Sequence, residues 1–445
     1  MTDRFHGEVT DALADQYGYR HRLAGELARG GQGVVYRTAD PDLAIKQPLG
    51  GDGAPDRDSD LAGRFASIRT LPIPRSVPVS LPLATLRDQP GYVMRLLSDM
   101  RSFGAFELSA DRRDELNSEA PPSWLAGVKD PSTAATLSYY AESGSTKRRL
   151  WALSRVAGIL ARLHASGLVY GDLSPNNCFI GGGEQPDVWL IDADNLRFEL
   201  VDGGNAVYTP RYGAPEIVQA RDRSRPRTDC WAFSVMAFET LALVHPFIGK
   251  KVLDPDDDGG GWDAEPMVDG APADLDEQAY AGYLPFVDDA DDDSNPSISG
   301  LPRSLVATTE INTLFQETFC AGRTRPWRRP AAAYWALELT RAHDQSLTCD
   351  SCRMSFYRTF QACPYCGDSR PGHVVARTGH WELVLQEGPA ELKLPHRLFN
   401  PFSFEHNGRT EYEAVIDPAS RRVSPVRGTS ALPQDLTFEF VGGAE

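Results

Sequence analysis

The sequence predicts an α+β chain with a strand-rich N-terminal part, a helix-rich middle and a small β-rich C-terminal part. Three observations carry this. Glycines 30, 31 and 33 sit between two β-prone runs, and Leu43-Ala44-Ile45-Lys46 follows as a further strand. Apolar residues then recur at helical spacing from Leu150 to His164 and again from Ala232 to Leu243. Beyond a cysteine cluster at positions 349–366, apolar and polar residues alternate between Pro/Gly turns.

A chain of 445 residues is long enough for two to three domains, each with its own core. With 41% hydrophobic and 24% charged residues it has a globular composition. The formal charge of −17 is uneven, since residues 251–300 hold fifteen acids and one base, Lys251. Asp256-Asp257-Asp258 and Asp291-Asp292-Asp293 read as parts of a solvated loop; the sharper alternative is a basic partner or a divalent ion. No basic block points to nucleic acid or a membrane surface, and no apolar run approaches 18 residues, so a soluble cytoplasmic protein is expected. Cys178, Cys230 and Cys320 are isolated among apolar residues and read as core.

In chain order, the glycine hairpin lets backbone approach a ligand closely, and Lys46 on the next strand can reach phosphates beneath it. Leu61, Phe65 and Ile68 mark a short amphipathic helix. Val77 to Arg87 and Gly91 to Leu97 read as strands around the turn at Gln89-Pro90-Gly91, whereas 98–147 reads as irregular. The Leu150–His164 helix ends at Ser166-Gly167 and leads into Tyr170-Gly171-Asp172-Leu173-Ser174-Pro175-Asn176-Asn177. Val188-Trp189-Leu190-Ile191 is a buried-strand run with Asp192 at its exit. Two aspartates and an asparagine on adjacent chain crossings can handle one proton and hold two magnesium ions, the equipment for moving a phosphoryl group from a nucleotide to a hydroxyl. Helices resume at Glu310 and from Arg329 to His343.

The order of these landmarks makes residues 20–345 resemble a protein kinase domain of the bacterial Ser/Thr type. After the glycine hairpin, Ala44-Ile45-Lys46, the Asp172–Asn177 loop and Asp192 come Tyr212-Gly213-Ala214-Pro215-Glu216, Asp229-Cys230-Trp231 and His245-Pro246-Phe247. The resemblance implies a bilobal fold with lobes at 1–97 and 98–345, and ATP with Mg2+ as cofactors. It implies nucleotide-binding positions at Ala28, Gly30, Gly31, Gly33, Val35, Ala44, Lys46, Met94 and Leu96. Asp172 would accept the proton of a protein hydroxyl, Lys46 would pair the α- and β-phosphates, and Asn177 and Asp192 would hold magnesium. Glu216 would pair with Arg329, and Asp229 would hold the catalytic loop from below through its backbone.

Several positions depart from the family pattern. Ala28 stands for the first glycine, and no glutamate occurs between Lys46 and Glu107, so the helix glutamate that pairs with the lysine is missing. Asp60 is the available substitute. Gly171 replaces an arginine, which implies activity without phosphorylation of the activation segment, Asn195 to Gly213. Ser174 stands where many kinases carry a lysine, and Asp192-Ala193-Asp194 replaces Asp-Phe-Gly, putting a second carboxylate near the metal. Slow turnover is the expectation. Tyr208 and Thr209 are phosphosite candidates.

Cys349-x2-Cys352 and Cys363-x2-Cys366, ten residues apart, present four thiolates from two tight turns. This spacing reads as a compact structural zinc ribbon over 346–370, closed to catalytic water. Disulfides are the alternative, disfavoured in a cytoplasmic chain. Arg353, Met354, Phe356, Tyr357, Arg358 and Phe360 mix bases with aromatics, and two arginines are too few for phosphate-driven binding, so protein contact is favoured over nucleic acid. Trp381–Leu385, Thr410–Ile416 and Leu436–Val441 then read as a β-rich module over 371–445, a sandwich or partial barrel. Kinase domain, ribbon and β-module together resemble bacterial kinases associated with stress and tellurite resistance. That resemblance implies a von Willebrand A-type protein and a metal-dependent protein phosphatase as partners.

Two competing classes remain beside an active protein kinase. One is a pseudokinase, a nucleotide-binding scaffold that recruits partners, for which the missing glutamate, Ser174 and Asp194 speak. The other is a kinase of small molecules, against which the Ala214-Pro215-Glu216 and Asp229-Cys230-Trp231 segments count.

Overall fold

The computed structural model describes residues 12–30, 33–51, 53–56, 59–74, 76–200, 207–254, 274–386, 391–400, 410–417, 421–426 and 432–442. Gly31, the side chain of Asp60 and the Asp256-Asp257-Asp258 run, each singled out above, lie outside the described residues.

The N-terminal part is one antiparallel sheet. Its strands are β1 (Ala12–Ala14), β2 (Arg20–Gly30), β3 (Gly33–Thr38), β4 (Leu43–Gln47), β5 (Ala84–Thr85) and β6 (Tyr92–Arg95), in the order β1-β2-β3-β4-β6-β5. The hairpin closes at Gly30 opposite Gly33, with bulges between Leu23 and Gly25 and between Glu26 and Ala28. Gly33 is sterically required, because a Cβ there would lie 2.7 Å from the Gln47 carbonyl oxygen. The amphipathic helix α1 (Ser59–Arg69) buries Phe65 and Ile68, with the Phe65 ring edge-on to Tyr92 at 4.9 Å.

The expected strand from Val77 to Arg87 is shorter than the sequence suggests. The part that joins the sheet is Leu83 to Arg87, with Ala84–Thr85 paired to β6 and Arg87 N donating to Ala14 O. Ser80 N donates to Leu190 O and Leu190 N to Pro78 O, tying the earlier part to the strand before Asp192. Pro78 and Pro82 lack the donors a continuous strand would need.

The helical part is built on the Ser145–Ala165 helix, which packs against the Pro226–Ala242 and Ala332–Asp344 helices. Leu150, Leu153, Val156, Leu160 and Leu163 are fully buried along it. A large aliphatic side chain buried in this way contributes about 1.5–3 kcal/mol. Trp231, Phe238, Phe247, Phe315, Phe319 and Trp335 fill the space beneath.

This helix begins five residues before the expected Leu150. Ser145, Thr146 and Arg149 are polar but buried, so the apolar period hides the first turn. The segment 98–147 is also more regular than expected, with helices at Ala110–Ser118 and Pro131–Glu142. The first is capped by Ser109, whose side chain accepts from Arg112 N. The second is capped by Asp130, with Pro131 at its first position.

The cysteine cluster shares the helical core. Leu347, Met354, Phe356 and Tyr357 belong to the same apolar cluster as Leu150 and Trp335. Lys147 N donates to Ser355 Oγ at 2.7 Å, and Ser355 N donates to Ser145 Oγ at 2.9 Å. Beyond it lie two three-stranded antiparallel sheets. One orders Glu382–Gln386, His373–Arg377 and Thr437–Val441; the other orders Glu391–Pro395, Thr410–Asp417 and Arg422–Pro425. Their core is small, around Ala376, Trp381, Leu394, Leu398 and Ala414. Asp344 ties them to the helices, accepting from Trp381 Nε1 at 2.8 Å and from Arg397 through two nitrogens at 2.7 and 2.9 Å. Burial would raise the Asp344 carboxyl, but Arg397 and the hydrogen bond from His343 hold it below the usual carboxylate range.

Candidate active site

Directly opposed residues on antiparallel strands share a face of the sheet. The register sets Ala28 opposite Val35, Val35 opposite Lys46, Lys46 opposite Tyr92, and Ala44 opposite Met94. Strand periodicity therefore brings Ala28, Val35, Ala44, Lys46, Tyr92 and Met94 to one face, with Gly30 and Gly33 at its hairpin end. Leu96 follows just beyond β6, its N donating to Asp42 O at 2.8 Å.

Lys46 is buried on this face, and its Nζ meets Asp192 Oδ1 at 2.5 Å and Asp194 Oδ2 at 2.8 Å. Burial works against the ammonium, but Asp194 and Asp192 keep its pKa above the ordinary lysine value. Asp192 is pushed up to about 6, because burial and the neighbouring Asp194 outweigh the pull of Lys46. Its backbone is left-handed, with φ 57°, and starts a 3-10 turn over Ala193–Asn195 that turns Asp194 back toward the sheet. The Tyr92 hydroxyl donates to Asp194 Oδ1 at 2.7 Å. Burial and the two carboxylates raise the Tyr92 phenol, so it remains a donor. From α1, Arg64 Nη2 donates to Asn195 Oδ1 at 2.7 Å.

On the other side, the carboxylate of Asp229 receives the main-chain N–H groups of Tyr170 at 2.8 Å and Gly171 at 2.9 Å. It also pairs with His164 Nε2 at 3.0 Å. Burial would lower the His164 pKa, but the bond to Asp229 raises it to about 9. Gly171 has φ +87°, a conformation that a side chain rarely adopts. A residue with a Cβ is therefore strained here, which explains glycine where the resemblance expects arginine. The Tyr170 hydroxyl reaches the Ile191 carbonyl and ties the loop to the strand leading to Asp192.

Asp172 is buried; Thr209 Oγ1 donates to its Oδ1 at 2.8 Å, and Asn177 Nδ2 donates to its main-chain carbonyl at 2.8 Å. With its NH2 group so engaged, Asn177 keeps its carbonyl oxygen as a hard donor of the kind magnesium takes. Ile191 N donates to Asn177 O at 2.9 Å, which locks this loop beside Asp192. Ser174 is buried, and its Oγ has no hydrogen-bond partner among the described residues.

Glu216 and Arg329 form the expected pair, bidentate at 2.7 and 2.8 Å, with the guanidinium fully buried over the Trp231 ring. Three contacts were not legible in advance. Thr209 stood out only as a phosphosite candidate, and no local signal marks Tyr92 or the Arg64–Asn195 bond, since each joins residues far apart in sequence.

The four clustered cysteines place all their sulfurs within 4.8 Å of one another, with Cys349–Cys366 and Cys352–Cys363 each 3.6 Å apart. A disulfide needs about 2.05 Å. A tetrahedral site with zinc–sulfur bonds of about 2.3 Å has edges of about 3.8 Å. The donor set therefore fits a structural zinc. Met354, Phe356 and Tyr357, which the sequence offered to a partner, are instead buried against the chain's own helices, and the Tyr357 hydroxyl donates to Val306 O at 3.1 Å. Among the described residues no helix is long and apolar enough to cross a membrane.

Residues 138–257, which contain the Asp172–Asn177 loop, Asp192, Glu216 and Asp229, match the protein kinase domain family. The chain is 35% identical over 102 residues to mouse and human Ribosomal protein S6 kinase alpha-3, a match covering 22% of this chain and 13% of each relative. Human Ribosomal protein S6 kinase alpha-6 is 37% identical over the same length, again covering 22% of this chain and 13% of the relative. The chain thus carries a protein kinase-like domain, whose match reaches about an eighth of the length of these curated relatives.

Proposed function

We propose that the protein is an ATP- and magnesium-dependent Ser/Thr protein kinase with a bilobal kinase domain, a structural zinc ribbon and a C-terminal β-module. The observation that carries the reading is the arrangement around Asp172. A buried carboxylate, held by Thr209, sits on a loop locked beside Asp192, which in turn contacts Lys46 from the sheet. The lobes fall at 1–97 and 98–345, the ribbon at 346–370 and the module at 371–445.

In this reading Asp172 accepts the proton of a substrate hydroxyl as its oxygen bonds to the γ-phosphorus and ADP departs. Thr209 fixes the orientation of the accepting carboxylate. Lys46 pairs with the α- and β-phosphates, and Gly30 and Gly33 allow the hairpin backbone to approach them. Asn177 and Asp192 are the magnesium ligands, and the metal supplies neutralisation of phosphate charge. The Asp229 carboxylate holds the loop by its N–H groups from outside residues 195–213, which supports activity without phosphorylation there. A bacterial stress setting, with a von Willebrand A-type protein and a metal-dependent phosphatase as partners, rests on the resemblance alone.

The pseudokinase reading draws on one observation, the double engagement of Lys46 by carboxylates. Incubation with magnesium, labelled ATP and generic protein acceptors separates the two. Transfer by wild type and its loss in Asp172→Asn is the expected result; binding of nucleotide without any transfer identifies the scaffold.

A further inference from the structure

We propose that Asp194 is the residue that positions Lys46, doing from the turn after Asp192 what a helix carboxylate would otherwise do. This rests on the kinase reading above.

Helix α1 contains no glutamate, and Asp60 is its single carboxylate. Lys46 is nonetheless held by two carboxylates, and the partner that distinguishes this chain is Asp194 Oδ2 at 2.8 Å. Glycine, which the resemblance leads one to expect at 194, has no side chain to offer. Here the left-handed Asp192 and the short turn after it send both carboxylates toward the sheet, while Ala193 between them is buried.

Asp194 is itself held. Its Oδ1 accepts from Tyr92, and Tyr92 stands directly opposite Lys46 on the neighbouring strand. Two adjacent side chains of one sheet face thus grip the two oxygens of one carboxylate. The turn is braced from the side by Arg64 on Asn195, so α1 acts on the lysine through the turn.

The arrangement also leaves capacity for a ligand. An ammonium has three donors. Asp192 and Asp194 take two, and the third remains for a phosphate oxygen. When Asp192 serves a metal, Asp194 still fixes the lysine. Asp194 is accordingly a positioning residue, acting through Lys46, and not a further metal ligand.

The test is a double-mutant cycle on the full chain, read by titration of a fluorescent ATP analogue with and without magnesium. Asp194→Ala and Lys46→Met should each weaken binding about tenfold, the effect of losing one charge-assisted hydrogen bond. The double variant should bind no more weakly than Lys46→Met alone. Tyr92→Phe and Asp194→Asn, which keep the shape of the site, should show about threefold effects in the same direction and serve if Asp194→Ala melts early. Additive loss in the double variant, or an altered magnesium requirement without altered magnesium-free binding, would mark a metal ligand and overturn the proposal. Wild-type-like binding by Asp194→Ala, Asp194→Asn and Tyr92→Phe, beside weakened binding by Lys46→Met, would overturn it as well, with the kinase reading intact. Failure of the wild type to bind nucleotide would remove the kinase reading itself.

Discussion

Thr209 Oγ1 donates to Asp172 Oδ1 at 2.8 Å, so the segment preceding Ala214-Pro215-Glu216 aims the carboxylate that opens the Asp172–Asn177 loop. Thr209 fixes Oδ1, and Asn177 Nδ2 reaches Oδ2 at a longer 3.4 Å, which leaves Oδ2 the less engaged oxygen. Thr209→Val removes this bond while keeping the shape, and turnover should fall about tenfold with little change in nucleotide affinity. Steady-state kinetics that separate kcat from KM check it. Thr209→Ser, which keeps the hydroxyl, should retain most of the rate.

The buried pair of Glu216 and Arg329 is a matter of stability. Removing one partner leaves a desolvated charge, with an expected loss of about 3–5 kcal/mol. Glu216→Ala should therefore unfold at markedly lower denaturant concentration than wild type. Equal midpoints would mean that the pair contributes nothing.

His164 gives a pH signature. Its pKa is about 9 in the folded chain, raised by Asp229, against an ordinary value near 6.5. A raised folded pKa means that the imidazolium stabilises the fold fully below about pH 6.5 and loses this contribution as pH rises through 9. Between pH 7 and pH 9.5 the wild type should lose roughly 1–3 kcal/mol more than His164→Gln does. Denaturant unfolding at the two pH values measures the difference.

The cysteine cluster should hold about one zinc per chain, measured by elemental analysis of purified protein. Because Met354, Phe356 and Tyr357 lie in the main helical core, losing the metal should disturb that core, not a detached appendage. Chelation or Cys352→Ser should lower the melting temperature of the whole transition by roughly 5–10 °C. An unchanged transition would mean that the four thiols stand without metal.

Much of this architecture was legible because it is written locally. The glycine hairpin, the strand carrying Lys46, the loop from Asp172 to Asn177 and the Cys-x2-Cys pairs each declare themselves within ten residues. The start of the Ser145–Ala165 helix was not, since Ser145 and Arg149 are polar residues buried by contacts with distant segments. The helices at Ala110–Ser118 and Pro131–Glu142 did carry a signal, in the caps Ser109 and Asp130-Pro131, which outweighs their weak apolar periodicity. Likewise the role of Gly171 lay in its backbone conformation, which substitution reasoning about a lost arginine does not reach. The resemblance points to α1 for the partner of Lys46, whereas Asp194, 148 residues later, carries no local signal of its contact with Lys46, which the three-dimensional register with Tyr92 brings into place.

The proposed phosphoryl transfer through Asp172 is read by incubating the full chain with magnesium, γ-labelled ATP and a generic protein acceptor, beside Asp172→Asn. Wild type should place label on serine or threonine, and Asp172→Asn should be slower by at least about a hundredfold while still binding nucleotide. Equal labelling by the two proteins, or none by wild type across acceptors and its own hydroxyls, would contradict it.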